Sequence, residues 1–543
     1  MIQKGEYKLK KVLLLTTIFI FTSAYVYAGC IETLGIGAKE TAQGKAVAAQ
    51  ADTPFAVYYN PAGITQISSP ALTAGATVYS AQAYSDNFRI KTGQDIDLNQ
   101  DGTIDIPAGG TFYGGWGKDN ETDNDLIINP SIGYVMPVSK KFSFGIAAYA
   151  PYGLHIEAEK NPYKNPISFY AWESYYARMA VTPTIGYKFS DKLSFGFGIS
   201  LGQSESDAGK TYAVNPFQAE LKKNMASPQG AAAIAQKAAA AGLQITAAQV
   251  QGLSQLITVD KTTPDGSNLN DMKLESQDSF NISWNAGVLY KPNQKLSIGL
   301  AYRGRASADF TGDVFFKGTK IGEVTMNYDH PEQVQGGIRY AFSDSFSLEF
   351  DLTFTHWTVN DRQVEKVILT NMDFMLGDAD EKIADAIVSN PMIPEAQKPI
   401  IKARIEKMLT SQKKKGAFEH DRYWENTFQY QLAAEWLVNK KLALRAGVVY
   451  DPTPVPTETF DQGWPDTDRS LFNIGFGYKI TDQWLIDGVF QYITSTPPRD
   501  IKGNSRELNH GYSKDFGQKD LRVYLDDNRG SLYGFGLNVT YNF

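Results

Sequence analysis

Two sets of residues in this sequence have the types and spacing to do chemistry: a row of oxygen donors and a group of arginines on alternating segments. Asp97-Leu98-Asn99-Gln100-Asp101-Gly102-Thr103-Ile104-Asp105 places oxygen donors at positions 1, 3, 5 and 9 and Gly at 6. That is the order of a calcium loop, whose glycine makes the sharp turn. Ala108 stands where the bidentate Glu belongs, so an acidic surface turn without metal is an equal reading. If Asp97, Asn99, Asp101 and Asp105 do bind calcium, the ion orders a loop; no other cofactor is expected. Gly198-Ile199-Ser200-Leu201-Gly202 matches a nucleophile elbow but lies in a regular alternating segment, not at a strand-to-helix turn. His155, His330, His356, His420 and His510 share no metal-ligand spacing. With no Ser/His/acid set and no nucleotide-binding loop, the chain does not read as an enzyme.

The arginines are informative because of the segments that carry them. Leu193, Phe195, Phe197, Ile199 and Leu201 alternate with Ser194, Gly196, Gly198, Ser200 and Gly202; Phe346, Leu348, Phe350, Leu352 and Phe354 alternate with Ser347, Glu349, Asp351, Thr353 and Thr355. Strands apolar on one face and polar on the other need lipid outside and water inside. Six polar turns recur, at Val138–Lys141, Ser190–Lys192, Pro292–Lys295, Ser343–Ser345, Asn439–Lys441 and Thr481–Gln483, and the six hairpins supply twelve strands. A first strand near Leu72–Tyr79 and a terminal strand ending at Phe543 make fourteen, all-β and closed, as backbone in lipid requires. Tyr134, Tyr187, Tyr290, Tyr340, Trp436 and Tyr478, just before the turns, read as the periplasmic aromatic girdle. The alternation points Arg303, Arg305, Arg339, Glu349, Asp351, Glu435, Arg445 and Asp487 into the lumen, where most should pair. An arginine left over suits a carboxylate ligand through its bidentate fork, and Arg303 or Arg305 is the candidate.

Both ends of the chain support an outer-membrane location. Lys4, Lys8, Lys10 and Lys11 precede the apolar run Val12–Phe21 and the small-residue site Val26-Tyr27-Ala28, so residues 1–28 read as a secretory signal. Removing them takes four Lys and one Glu from a net charge of −7, leaving the mature chain near −10, with nothing like a basic groove for nucleic acid. Cys30, the only cysteine, half-resembles a lipoprotein site but has Tyr27 where an aliphatic belongs, which leaves its acylation open. Residues 29–69 do not alternate and are rich in Gly and Ala, the right size for a plug folded into the bore. Residues 70–543 are left for the barrel. Its third and fifth outer loops, near 204–277 and 360–425, read as helical, with Ile234, Val250, Leu253 and Ile257 in one and Ile383, Ile387, Ile401 and Ile405 in the other. Met372, Met375, Met392 and Met408 offer adaptable surface for a groove between these helices; packing of the helices on one another is the alternative.

Asn60-Pro61-Ala62-Gly63, Ala150-Pro151-Tyr152-Gly153-Leu154, Ala301-Tyr302-Arg303, Asp309-Phe310-Thr311-Gly312-Asp313 and Tyr450-Asp451-Pro452-Thr453-Pro454-Val455-Pro456 occur in an order that resembles the outer-membrane long-chain fatty acid and aromatic hydrocarbon transporters (FadL/TodX-like). The resemblance covers nearly the whole mature chain. It implies a monomeric barrel closed by an N-terminal hatch that carries Asn60, Pro61, Ala62 and Gly63. It further implies passive uptake of a hydrophobic small molecule, a fatty acid or an aromatic hydrocarbon, and lateral release into the outer-membrane lipid through a gap at the third strand. Phe142–Tyr152 is that strand by count, with Pro151 and Gly153 toward its outer end, where a residue without an N–H and one without a side chain can break a ladder. A lipid-acting enzyme and a general porin are the alternatives.

Overall fold

The computed structural model describes residues 32–543 other than 97–103, 105, 115–119, 122–125, 392 and 411–413. The expected signal 1–28, Cys30, the calcium candidates Asp97, Asn99, Asp101 and Asp105, and Met392 lie outside the described residues.

Fourteen antiparallel strands form one closed wall. They are β1 (Ala71–Thr92), β2 (Leu126–Pro137), β3 (Phe142–Glu157), β4 (Glu173–Lys188), β5 (Leu193–Tyr212) and β6 (Asn270–Tyr290). Four strands follow in two pieces each: β7 (Leu296–Arg303 and Ala306–Phe316), β8 (Thr319–His330 and Gln333–Ala341), β9 (Phe346–Thr355 and Arg362–Leu369) and β10 (Lys414–Asp421 and Thr427–Leu437). The wall ends with β11 (Leu442–Asp451), β12 (Arg469–Lys479), β13 (Trp484–Ser495) and β14 (Leu521–Asn542), and Leu72 of β1 pairs with Tyr541 of β14 to close it. The short turns are set by their polar residues. The Asn293 side chain accepts from the amides of Lys295 and Leu296, Asn439 from Lys441 and Leu442, and Ser139 from Lys141 and Phe142. Phe195, Phe197, Ile199 and Leu201 are exposed on the outer face, while Ser194 and Ser200 are buried. Among the described residues no helix is long and apolar enough to cross a membrane.

Residues 33–67 run inside the wall, through α1 (Ala38–Ala42), α2 (Ala56–Tyr59) and a 3-10 turn at Pro61–Gln66. Small residues let this segment approach the strands. A Cβ on Gly299 would lie 1.9 Å from the Ala48 carbonyl, and one on Gly196 would lie 2.1 Å from the Pro61 backbone, so the lumen-facing glycines mark where it touches. Buried carboxylates take up its loose amides: Asp351 accepts from Ala48 N at 2.9 Å and Glu349 from Ala49 N at 2.6 Å. Asn60 caps the turn by accepting from Ala62 N at 3.1 Å, and its amide donates to the Ala48 carbonyl at 2.7 Å.

The outer loops differ from expectation in their bounds. The stretch 311–330 is a hairpin of β7 and β8 turned at Lys317-Gly318, both with positive φ. Alternation continues above the membrane, so β5 runs to Tyr212, β6 starts at Asn270, and the third loop shrinks to 213–269. That loop holds α3 (Pro216–Ala226), α4 (Pro228–Ala240) and α5 (Ala247–Leu253); the fifth holds α6 (Met372–Leu376), α7 (Ala379–Val388) and α8 (Lys398–Thr410); α9 (Arg506–Phe516) lies before β14.

Candidate functional site

Lumen charges mostly pair within the wall. The Arg445 guanidinium meets Glu435 at 2.8 Å and Asp487 at 2.6 Å, and all three are buried. Arg303 does face the lumen and forms no ion pair among the described residues. Its guanidinium donates to Gln333 at 2.9 Å and Gln335 at 3.1 Å and lies 4.8 Å from the centre of the Tyr58 ring. Arg305 does not face the lumen. The inward face switches from odd to even residues across Gly304-Arg305, and Arg305 sits at the surface, paired with Glu332 at 2.8 Å and Asp329 at 3.6 Å.

A residue that sequence reasoning missed stands near Arg303. Arg178 on β4 is 3% exposed and has no carboxylate within ion-pair distance among the described residues. Its Nε donates to Asn281 at 2.7 Å, and Asn281 in turn donates to Asp278 at 2.7 Å. Tyr58 and Tyr149 lie within electrostatic range of both guanidiniums. The signal was available, because Ala180, Thr182 and Thr184 continue the inward face of Arg178 along β4.

The wall is broken between β2 and β3. Their ladder runs from Pro137–Ser143 to Ile132–Ala148 and stops, although β2 continues to Leu126 beside β1 and β3 to Glu157 beside β4. Pro151 and Gly153 lie in the part of β3 that leaves β2, next to an irregularity between Tyr149 and Tyr152. There the N-terminal segment takes the place of β2: Thr33 N donates to the Pro151 carbonyl at 3.0 Å, and Glu32 bridges to Tyr152. A mostly apolar cavity of about 130 Å³ is lined by Ala81 and Tyr84 of β1, Ile156 of β3, Phe460, Ile493 and Leu532. β1 and β3 are the strands that flank the outer part of β2, so the cavity and the break share this sector of the wall.

The proposed methionine groove is a packed core. Met375 is fully buried and Met372 and Met408 partly so, in one cluster with Phe217 and Met225 of α3, Val250 of α5, Ile405 of α8, and Val314, Phe316 and Ile321 of the β7–β8 hairpin. The third and fifth loops therefore meet across the hairpin between them. Asn60-Pro61-Ala62-Gly63 lies against the wall, where a Cβ on Gly287 would meet Asn60 Oδ1 at 2.0 Å.

A closed barrel with an apolar belt, a chain segment packed in its bore, a break in its wall and an apolar cavity in the same sector defines an outer-membrane transport barrel. Residues 20–543 match the model of the family described as outer membrane protein transport protein (OMPP1/FadL/TodX), and the chain belongs to that family, located in the outer membrane. It is 22% identical to outer membrane protein P1 of Haemophilus influenzae over 94% of each chain. It is 21% identical to the long-chain fatty acid transport protein of Escherichia coli K12, over 94% of this chain and 92% of that one. In fold it is similar to the crystal structure of a Pseudomonas aeruginosa FadL homologue (TM-score 0.61, 15% identity, 96% of this chain and all of that one). It is also similar to the Pseudomonas putida toluene transporter TodX (TM-score 0.54, 12% identity, 94% and 99%).

Proposed function

We propose that this protein, as a single barrel, carries hydrophobic molecules with an acidic head group, long-chain carboxylic acids, passively across the outer membrane and releases them sideways through the β2–β3 break. The observation that carries the reading is the pair Arg178 and Arg303. Both are in the lumen, both lack an ion-pair partner among the described residues, and both lie near buried tyrosines. A guanidinium taken out of water is costly unless paired, and an incoming carboxylate supplies the missing charge through charge-assisted hydrogen bonds. The kinship with long-chain fatty acid transport proteins supports the same cargo. Partition between successive sites drives the movement, and no covalent step is asked of the chain.

Charged hydrogen bonds contribute about 1.5–3 kcal/mol, so Arg303→Gln should weaken palmitate binding about tenfold to a hundredfold while toluene binding stays within about twofold. Isothermal titration of the detergent-solubilised protein, with uptake by a deletion strain carrying each variant, checks this. Equal losses for palmitate and toluene would reject a carboxylate site, and uptake of every hydrophobic compound that is the same in the deletion strain as in the wild type would reject transport.

A further inference from the structure

The wall is also interrupted between β6 and β7. Below the interruption the ladder runs from Tyr290–Ile298 to Asn285–Arg303, and above it from Gln277–Thr311 to Met272–Phe316. No ladder pair joins 278–284 to 304–310; two bonds at Gly304 mark the lower edge, its N donating to the Trp284 carbonyl at 2.7 Å and its carbonyl accepting from Ser283 Oγ at 2.6 Å. The register is the same on both sides, so each strand carries one extra residue at a different height: Ser279-Phe280 on β6, where two neighbours are exposed, and Gly304-Arg305 on β7. Between these points the strands are out of phase. Phe280 and Ile282 face out, at 62% and 55% exposure, where the opposite residues Ala308 and Ala306 face in, at 0% and 1%. A one-residue slip reverses every side chain, so this stretch cannot pair while its side chains keep these faces, and the seam is built into the sequence.

Height and chemistry both point to a use. Ten residues separate Phe280 from the girdle residue Tyr290. At about 3.3 Å per residue and a tilt near 40°, that is about 25 Å, the height of the apolar belt, so the seam opens at outer-leaflet level. Its outer rim is apolar, with Phe280, Ile282 and Trp284. Directly behind it, Asn281 of the same stretch holds the buried Arg178 guanidinium at 2.7 Å. We propose that the seam between β6 and β7 is a lateral way in, by which a long-chain carboxylic acid dissolved in the outer leaflet slides its acyl chain past Phe280 and Ala308 and places its head on Arg178. The proposal rests on the carboxylate reading above and adds a route to it.

The experiment uses the full-length protein in nanodiscs whose lipid contains a diazirine-bearing C16 fatty acid, irradiated and mapped by peptide mass spectrometry. Adducts in 278–284 and 306–310 should exceed those at Leu201 and Val334, outward residues near the same height, at least fivefold, and excess palmitate should suppress them. Arg178→Gln should lower seam adducts several-fold, and Arg178→Lys should retain them. Seam labelling no greater than at Leu201 and Val334, or indifferent to Arg178→Gln in a protein that still binds palmitate, overturns the proposal. Palmitate-suppressed adducts confined to the lumen and outer loops would sink the seam and leave the carboxylate reading standing. No palmitate-suppressed adduct anywhere would sink both.

Discussion

Single residues in this barrel act mainly through what they leave unpaired. Arg178 and Arg303 do so in the lumen; Glu365 does so outside the membrane, on the outer piece of β9. Burial lifts its carboxyl from an ordinary value of 4.5 to about 7, opposed only by the Arg422 charge, and Tyr212 stands nearby. Because the folded value is raised, the stability it contributes is fully present below about pH 4.5 and is lost as pH rises through about 7. Amide protection in the ribbon formed by Arg362–Leu369 and Lys414–Asp421 should therefore fall between pH 5 and pH 8 after correction for intrinsic exchange. Glu365→Gln should abolish that fall, and a wild-type ribbon equally protected at both values would refute the assignment. Glycine can be tested in the opposite sense. Gly196→Val puts a branched side chain where even a Cβ would lie 2.1 Å from the Pro61 backbone. Overpacking of this kind costs about 1–3 kcal/mol, so residues 58–66 should become protease-sensitive while the barrel itself stays folded and heat-modifiable on gels.

Elements differ in how plainly the sequence announces them. Fourteen strands can be counted because each keeps a period of two near its periplasmic end and each periplasmic turn carries its own Asn, Ser or Thr cap. What could not be read was the β7–β8 hairpin, since the extra residues at Gly304-Arg305 and Ser279-Phe280 reverse the period, and a fixed alternation carried through them sends Arg305 the wrong way. Arg178 shows the converse: alternation alone would have found it, but nothing in its neighbours distinguishes it from an arginine paired across the bore. The helical loops were legible as helices, whereas their partners were not, because apolar stripes do not say what covers them. Met375 decides that question, being fully buried in a core shared by both loops and the hairpin. Met375→Ala should cost the loop assembly about 2–5 kcal/mol, so hydrogen exchange in 216–257 and 372–410 should accelerate together. Acceleration confined to 372–410 would show that the loops are not one unit.

At the scale of the whole molecule, the wall and the segment inside it complete each other's polar groups. Asp351 and Glu349 accept the amides of Ala48, Ala49 and Gln50; Asn538 accepts from Ala38 N at 2.5 Å; Gln335 donates to the Lys45 carbonyl at 2.9 Å. Removing the segment leaves those side chains buried without partners, a state that water must enter to satisfy. The carboxylates then line an aqueous bore. Deleting residues 30–66 should accordingly raise conductance in planar bilayers several-fold over the intact protein, with preference for cations set by Glu349, Asp351, Glu435 and Asp487, all buried on the lumen side. Glu349→Ala with Asp351→Ala in the full-length chain should give brief openings of the same sign, because the segment keeps its glycine-lined seat but loses two of its anchors. No rise in conductance on deletion would mean that the bore is closed by the outer loops, and the N-terminal segment would then serve to hold β3 away from β2 at Pro151 without blocking the lumen.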